Sequence, residues 1–574
     1  MSLSIGLDTA VSALRAHQLA VDVASHNIAN AQTPGFSRQR ALLQAVGGAS
    51  IDRFSGSSTL GQAGHGVDAS AVNRMRDVFL DYQARQTLST KGQYTSYSDP
   101  LSQTEVVFND PSDTGLSSLM AKFWASWQDV VNNPESSSAR AALVNGTTTL
   151  TSRLNGAFQQ LTTQRTDLNM RVTAIADQVN AAASEIASLN SQVQQAELTG
   201  QNANDLRDRR DLLLDQLSSL GQITYNEQAD KTVSVYLGNH ELVTGTTVRV
   251  VSAVQDITNP GMNKLIFATD NANVTTTTGE LRGVLDARDT ALPGLISKLD
   301  TLASELIGAV NGIHQTGYGL DQATGLAFFT GSDAQSIALN PLLAASPRSI
   351  AAAAAANAPG DGSNALAIAN LQLAPVLPAG IAGSNLVVGA TLSAGITVGR
   401  LAVAGTVQPG TYFMVANAGN VELRQGSPAG TLVGTATLGG IAPGTGAITF
   451  MLGANAVATI SVTNATAGAY TAAQQQTDLI AVPNNTIVAA ESPDKYYAGL
   501  VTTLGSEVNR ANGVAESSGM LNDHIEQMRQ SVSGVNLDEE VTNMNAAQHA
   551  YESAARVIST IDSMLDTLIN RTAV

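Results

Sequence analysis

Residues 3–28 read LSIGLDTAVSALRAHQLAVDVASHNI, and within them Leu7, Leu14, Val21 and Ile28 recur every seven positions. A second row, Leu3, Ala10, His17 and Ala24, is offset from the first by four. Alternating steps of three and four put both rows on one face of a helix, the pattern of a helix seeking a partner helix. The other end of the chain repeats the design. Met544, Tyr551, Ile558 and Leu565 form one series, and Ala547, Ala554, Ile561 and Leu568 its companion. Asn536 is placed to cap that helix and Glu539 occupies the capping-box position. Asp538, Glu539 and Glu540 suit the positive end of its dipole.

Magnitudes say what these helices lack. Burying the four large residues of the first row returns about 6–12 kcal/mol. Ordering roughly 25 residues costs on the order of 25 kcal/mol in backbone entropy, which internal hydrogen bonds only partly offset. Each end therefore needs a partner. The two can pair with each other in a globular bundle, or within and between subunits of a polymer. Heptads by themselves do not separate these.

From Leu168 the spacing is clean: Val172, Ile175, Val179, Ala182, Ile186, Leu189, Val193 and Ala196 alternate steps of four and three. With Leu150, Leu154 and Leu161 upstream, one long helix is predicted over much of 137–198. The segment Asp205–Leu217 follows, with Leu206, Leu213 and Leu217 able to face a core. Its Arg207, Arg209 and Arg210 interleave with Asp205, Asp208 and Asp211, which reads as a salt-bridged helix surface rather than an anion site. Val233, Val235 and Leu237 alternate with polar residues, and Val248, Val250 and Val251 follow, so 222–268 holds a small β element. Helix returns over 279–315. The run Ala351–Ala356 and the stretch 359–362 read as a linker.

Residues 371–470 hold 17 of the 50 glycines but only three charged residues, Arg400, Glu422 and Arg424. Short Val/Ile/Leu/Thr runs between Gly-Gly, Pro-Gly and Asn turns predict an all-β insertion. The expected fold is mainly α with inserted β, and elongated. A terminal α-helical coiled-coil domain takes 1–50 with 531–574. A helical-bundle rod domain takes 51–370 with 471–530, and the all-β domain, 371–470, is inserted near the tip.

Composition narrows the function. Thirty Lys and Arg against 47 Asp and Glu give a formal charge of −17, which repels phosphate backbones, so no nucleic-acid partner is expected. The chain has no cysteine, which removes disulfides, thiolate nucleophiles and Cys-ligated metal sites. No run of 18 apolar residues is present, so no membrane insertion is expected. Residues 1–24 lack the layout of a cleaved secretory leader. The seven histidines are scattered, with no HExxH; His17 reads as a packed seam residue and His314 as turn-stabilising. Ser492-x-x-Lys495 has a serine–lysine spacing, but Pro493 at the first helical position makes Ser492 a cap. No catalytic, cofactor-binding or metal-ligating residues are identified, and no enzyme activity is expected.

The segment His26-Asn-Ile-Ala-Asn-Ala-Gln-Thr-Pro-Gly-Phe-Ser-Arg-Gln39 is similar to the N-terminal signature of bacterial flagellar rod, hook and hook-associated proteins. Its motif positions are Asn27, Asn30, Thr33, Pro34, Gly35 and Phe36. Residues 533–541, with Asn536, Leu537, Glu539 and Glu540, and residues 558–570 resemble the C-terminal signature of the same axial superfamily. The 205–217 helix, Gly279–Leu285, Val310–Gly319 and Gly325–Phe329 look like the FlgK family of hook-associated proteins. The insertion carries no resemblance.

The resemblance implies a structural subunit at the hook–filament junction, required for filament assembly and located outside the cell on the flagellum. Its termini would order on insertion into the growing tube, making Leu7, Leu14, Val21, Ile28, Met544, Tyr551, Ile558, Ile561, Leu565 and Leu568 the assembly interface. Implied partners are further copies in a ring-like layer, hook protein and the second, filament-side hook-associated protein. The type III export apparatus, which takes such chains without a cleaved signal, and an export chaperone on the C-terminal helix complete the set. The alternatives are another axial protein (hook protein or the filament-side junction protein), an adhesin using the insertion, or a wall hydrolase on a flagellar scaffold. A hydrolase needs an acidic pair or metal cluster in the insertion, which holds one carboxylate and no histidine.

Overall fold

The computed structural model describes residues 2–46, 66–108, 110–198, 200, 202–373 and 492–567, and between 396 and 487 seven strands with a few flanking residues. The chain begins with α1 (Ser2–Asn30), β1 (Gln39–Ala45), β2 (Val67–Arg74), α2 (Val78–Phe108), α3 (Leu116–Asn132), α4 (Ser137–Glu197) and α5 (Asn204–Leu220). Strands β3 (Ile223–Glu227), β4 (Val233–Leu237), β5 (His240–Thr244), β6 (Thr247–Val248), β7 (Val251–Gln255) and β8 (Asn263–Phe267) follow. Then come α6 (Glu280–Asp286), α7 (Leu292–His314), β9 (Phe329–Thr330), β10 (Ala338–Leu339), α8 (Pro341–Ala345) and α9 (Ser363–Ala369). After β11 (Ile396–Val403), β12 (Gly410–Asn417), β13 (Asn420–Gln425), β14 (Thr431–Ala436), β15 (Gly444–Leu452), β16 (Asn455–Asn464) and β17 (Asn485–Ile487), the chain ends in α10 (Pro493–Ser533) and α11 (Leu537–Asp566). It is mostly helical with small antiparallel sheets.

The stripe on α4 is buried as its spacing demands: Leu150, Leu154, Leu161, Val172, Ile175, Ile186 and Val193 are sealed from solvent. The helix returning near residue 279 comes in two pieces, α6 and α7, joined by a π-helical turn at 287–291.

Residues 1–100, 165–290 and 508–574 form one compact unit, and 101–164 with 291–507 a second. In the first, α4 and Leu213, Leu214 and Leu217 of α5 pack against Val235, Leu242 and Val243 of the β3–β6 sheet and Phe267 of the β7–β8 pair. Polar stitches fix that packing. Asn190, fully buried on α4, donates to the carbonyls of Val233 (2.9 Å) and Gly245 (2.7 Å) and accepts from the Val233 N–H (3.0 Å). Asn180 bonds the N–H and carbonyl of Val251 at 2.8 and 2.7 Å, and Asn169 accepts from the Asn263 N–H at 2.7 Å. Spaced by 10 and 11 residues, the three asparagines lie near one face of α4 and satisfy strand groups that would otherwise be buried without partners.

The second unit is built on aromatic rings. Phe123, Trp124, Trp127, Phe328 and Phe329 meet with centroids 4.8–6.5 Å apart, and His314 joins them at 5.3 Å from Phe328. Residues 351–353, expected within a linker, are instead core: Ala351 and Ala352 are buried, and Ala353 pairs with Tyr318. Their small side chains let the backbone pass close to His314. Strands β11–β17 form one antiparallel sheet in the order β11-β16-β15-β14-β13-β12-β17, in which Glu422, buried, pairs with Arg424.

His314 ends α7 and ties two loops to it. Its Nδ1–H donates to the Leu326 carbonyl at 2.7 Å, and its Nε2 accepts from the Ala351 N–H at 2.9 Å, which requires the neutral ring. Burial, helped by the charge of Arg140, holds its pKa down at about 4 although the Leu326 bond opposes this. The unfolded chain therefore binds a proton that the folded one refuses. The contribution is fully present above pH 6.5 and is lost as pH falls from 6.5 through about 4, a span worth about 3 kcal/mol. Tryptophan fluorescence, which here reads only Trp124 and Trp127, should show an unfolding free energy that declines over that window. His314→Gln should flatten the slope, and a flat natural-chain profile would refute the assignment.

Candidate functional site

The two terminal helices pack against each other. Gly6 lies against Ile561, Ser25 Oγ against Met544 Sδ at 3.8 Å and Asn27 against Glu540, so α1 and α11 run antiparallel. The buried apolar positions are small: Ala10, Ala16 and Ala24 on α1, Ala547 and Ala554 on α11. Leu7, Leu14, Val21, Ile28, Met544, Ile558, Ile561 and Leu565 are half-buried and Tyr551 is exposed; Leu568 lies outside the described residues. Alanines let two backbones approach closely, and the larger rows then flank the seam instead of filling it.

The family-motif residues make the joint at the base of this pair. Helix α1 ends at Asn30, whose Nδ2 donates to the His26 carbonyl at 3.0 Å and whose carbonyl accepts from the Thr33 N–H at 2.9 Å. Thr33 Oγ1 donates to Asn30 Oδ1 at 3.2 Å, and the Phe36 N–H reaches the Thr33 carbonyl at 3.1 Å. Pro34 is exposed. Gly35 sits at φ +80°, a left-handed backbone that favours glycine, and a Cβ there would crowd Leu212 Cβ at 3.3 Å. The Phe36 ring packs edge-on to His26 at 5.4 Å.

Asn27 is completely buried and fully bonded. It donates to the Gln39 carbonyl at 2.8 Å and to Glu540 Oε2 at 2.9 Å, and accepts from the Gln39 N–H at 2.9 Å. Glu540, also buried, accepts from Arg38 Nε at 2.7 Å. Asn536 caps α11, accepting from the Asp538 N–H at 3.1 Å. Glu539 does not close a capping box; its carboxylate pairs with Arg38 at 3.0 Å. Burial disfavours the Arg38 charge, but Glu539 and Glu540 outweigh it and raise its pKa. Leu537 is exposed. A polar groove of about 720 Å³ opens between the loop 31–38 and the segment 530–536.

Helix α5 anchors this joint. Asp208 accepts from the Ser37 N–H at 2.8 Å and from Arg74 at 2.7 Å. Asp211 meets Arg74 (2.8 Å), Arg76 (3.3 Å) and Arg85 (3.3 Å). Asp215 meets Arg85 (2.6 Å) and Arg529 (3.0 Å). The helix is salt-bridged, but to other segments and not within itself. Its acids point into a ring of arginines from elsewhere, while Arg207 turns the other way to Glu197 at 2.6 Å and Arg210 to Asn190 at 3.0 Å. Burial pushes the Asp208 carboxyl up despite Arg74. At Asp211 burial is outweighed by Arg76, Arg74 and Arg85, and the pKa falls to about 2. A signal for this face was available: Asp208, Asp211 and Asp215 are spaced three and four apart, one helical stripe of carboxylates. Nothing marked Arg74, Arg76, Arg85 or Arg529 as their partners.

Among the described residues, no group of three His, Cys, Asp or Glu could hold a metal ion, and no helix is long and apolar enough to cross a membrane. The arrangement joins chain segments and contains no nucleophile–base pair.

Residues 101–329 match the family described as the flagellar hook-associated protein FlgK helical domain. Residues 7–36 match the flagella basal body rod proteins, and 526–571 the C-terminal region of the flagellar basal body rod FlgEFG proteins. The two short matches are the two sides of the joint. The chain is 28% identical to flagellar hook-associated protein 1 of Bacillus subtilis over 99% of this chain and 98% of the relative. It is 27% identical to that of Escherichia coli over 98% and 99%. It is 30% identical to that of Salmonella typhimurium over 56% and 59%. A solved flagellar hook junction protein FlgK from Burkholderia pseudomallei aligns with a TM-score of 0.48 and 20% identity, covering 79% of this chain and 100% of that one.

Removing the Asp211 charge leaves three guanidinium groups short of a partner. Asp211→Asn should destabilise the first unit by about 3–5 kcal/mol, read as a lower urea midpoint. A change under about 0.5 kcal/mol, ordinary for a surface site, would show that the arginine ring does not depend on it.

Proposed function

We propose that this chain, which belongs to the FlgK family of flagellar hook-associated proteins, is the structural subunit that joins hook to filament and on which filament assembly depends. It performs no catalysis. The observation that carries the reading is the incomplete seam of α1 and α11. Alanines fill its centre, while Leu7, Leu14, Val21, Ile28, Met544, Ile558, Ile561 and Leu565 stay half-exposed and Tyr551, Val557 and Met564 are exposed. Neighbouring copies in a ring-like layer would cover these rows, giving a terminal coiled-coil layer from 1–50 with 531–574. Leu42 and Leu43 on β1 are exposed as well.

In this reading 51–370 with 471–530 is the rod domain and 371–470 an all-β domain at the tip. Hook protein and the filament-side hook-associated protein are the axial neighbours. The chain leaves the cell through the type III export apparatus without a cleaved signal. An export chaperone shields α11 beforehand, since that helix alone buries too little to hold its fold. No nucleic acid or membrane takes part.

Deleting residues 540–574 should abolish incorporation and leave the helical body folded, so that cells carry bare hooks and spill filament protein into the medium. Leu14→Asp or Ile561→Asp should do the same by placing a charge in the seam. Removing 375–468 should leave assembly partly intact. Electron microscopy and swimming assays decide it: normal filaments from the truncation would sink the proposal.

A further inference from the structure

The α1–α11 seam has a weakness that its own repeat creates. Ala547 and Ala554 are seven residues apart, as are Ala10, His17 and Ala24. Sliding one helix past the other by seven residues, about 10 Å, brings one small residue where another had been. Apolar burial then changes little, because alanines contribute little each and the larger rows are only half-covered in any case. A seam of this kind holds two helices together without saying how far along each other they should sit.

One contact in the pair is not repeated. Asn27 is 0% and Glu540 3% exposed, and they meet at 2.9 Å where the seam reaches the joint. Each is independently held. Both polar ends of the Asn27 amide are bound to the Gln39 backbone, and Glu540 is gripped by Arg38, whose own N–H donates to the Ser533 carbonyl at 2.8 Å. In a slipped pair Asn27 would face Ala547, leaving one buried amide N–H against a methyl group, and Glu540 would lose its amide donor. The penalty for a wrong register is therefore polar and concentrated at one point, while the gain for the right one is diffuse.

We infer that Asn27 and Glu540 are the register-determining pair of the terminal helices, a specificity device distinct from the apolar rows that hold the helices together. A buried polar contact that fixes alignment at some expense of stability is a known use of such groups in paired helices. Here the lock also refers the register to the rest of the first unit, since Gln39 and Arg38 lead directly into the contacts of Asp208. A one-heptad slip would shift the exposed Val557 and Met564 by a full repeat against any neighbouring copy. The inference stands on the pairing inside this chain and does not require the hook–filament role.

The absence of cysteine makes disulfide trapping clean. Ser25→Cys with Met544→Cys reports the native register, in which the two side chains touch. Ser25→Cys with Tyr551→Cys reports the pair slipped by one heptad, which the chain can reach by unwinding 537–543. In the purified full-length chain the first pair should oxidise at least about tenfold more completely than the second. With Asn27→Leu and Glu540→Leu added, the yields should come to within about threefold while helix content by circular dichroism is kept. Asn27→Ala alone, which removes the amide and leaves Glu540 with Arg38, should narrow the preference in the same direction. A leucine variant that still closes only the 25–544 pair overturns the inference. So does equal closure in the otherwise natural chain, a leucine variant that loses helix content, or an Asn27→Ala chain that keeps the full natural preference. None of these outcomes bears on where the protein sits in the flagellum, so its failure and that of the junction reading remain distinguishable.

Discussion

The contact on which the rest of the first unit depends is the row of carboxylates along α5, Asp208, Asp211 and Asp215, facing Arg74, Arg76, Arg85 and Arg529. Three of these arginines come from one short stretch, the end of β2, the turn after it and α2, and the fourth from the last turns of α10, more than 400 residues further along the chain. Removing a guanidinium or a carboxylate from water costs several kcal/mol apiece, and only a complete set of opposite charges returns it. Each segment is thus admitted to the unit only when the others are in place. Depression of Asp211 to about 2 is the electrostatic record of that arrangement, because three cations outweigh a burial that acts in the opposite sense.

On this base the terminal helices are attached by polar contacts at one end and by a thin apolar seam along the rest. The loop 31–38 reaches α5 through the Ser37 N–H and reaches α11 through Arg38, so one short segment connects both. The division of labour is physical. Hydrogen bonds and ion pairs are directional and fix where the helices start, whereas the alanine seam is permissive and leaves larger side chains available at its flanks. The attachment point is defined, and the larger side chains along the seam stay half-exposed.

The second unit uses a different device for the same end. Its rings leave little room for adjustment, and the neutral imidazole of His314 closes two loops onto α7 with one donor and one acceptor. The alanines at 351–353 are small because the backbone must pass within hydrogen-bonding distance of that ring. In the first unit the asparagines of α4 do comparable work by saturating strand backbone that the core would otherwise leave unbonded.

Much was legible from the order of residues, and for local reasons. The long stripe of α4, the helix ends at Asn30 and Asn536, the bend at Pro34–Gly35 and the small sheets around 223–267 follow from spacing, capping and turn chemistry, which act over a few residues. Composition likewise excluded thiol chemistry, since the chain has no cysteine. What lay beyond reach was the choice of partner. Asp205–Asp211 read as a self-paired surface because intrahelical spacing permits it. Desolvation beneath β2 and α10 makes the interchain-segment pairs win, and no local pattern contains that term. Glu539 fitted a capping box yet pairs with Arg38, and the alanine run at 351 resembled a linker yet lies in a core. Periodicity could say that both termini were built for helix pairing, since that depends on which face is apolar. It could not say that the alanines would meet at the centre and the larger residues stand aside, because closest approach is decided by the three-dimensional path of two backbones held at one end by Asn27 and Glu540.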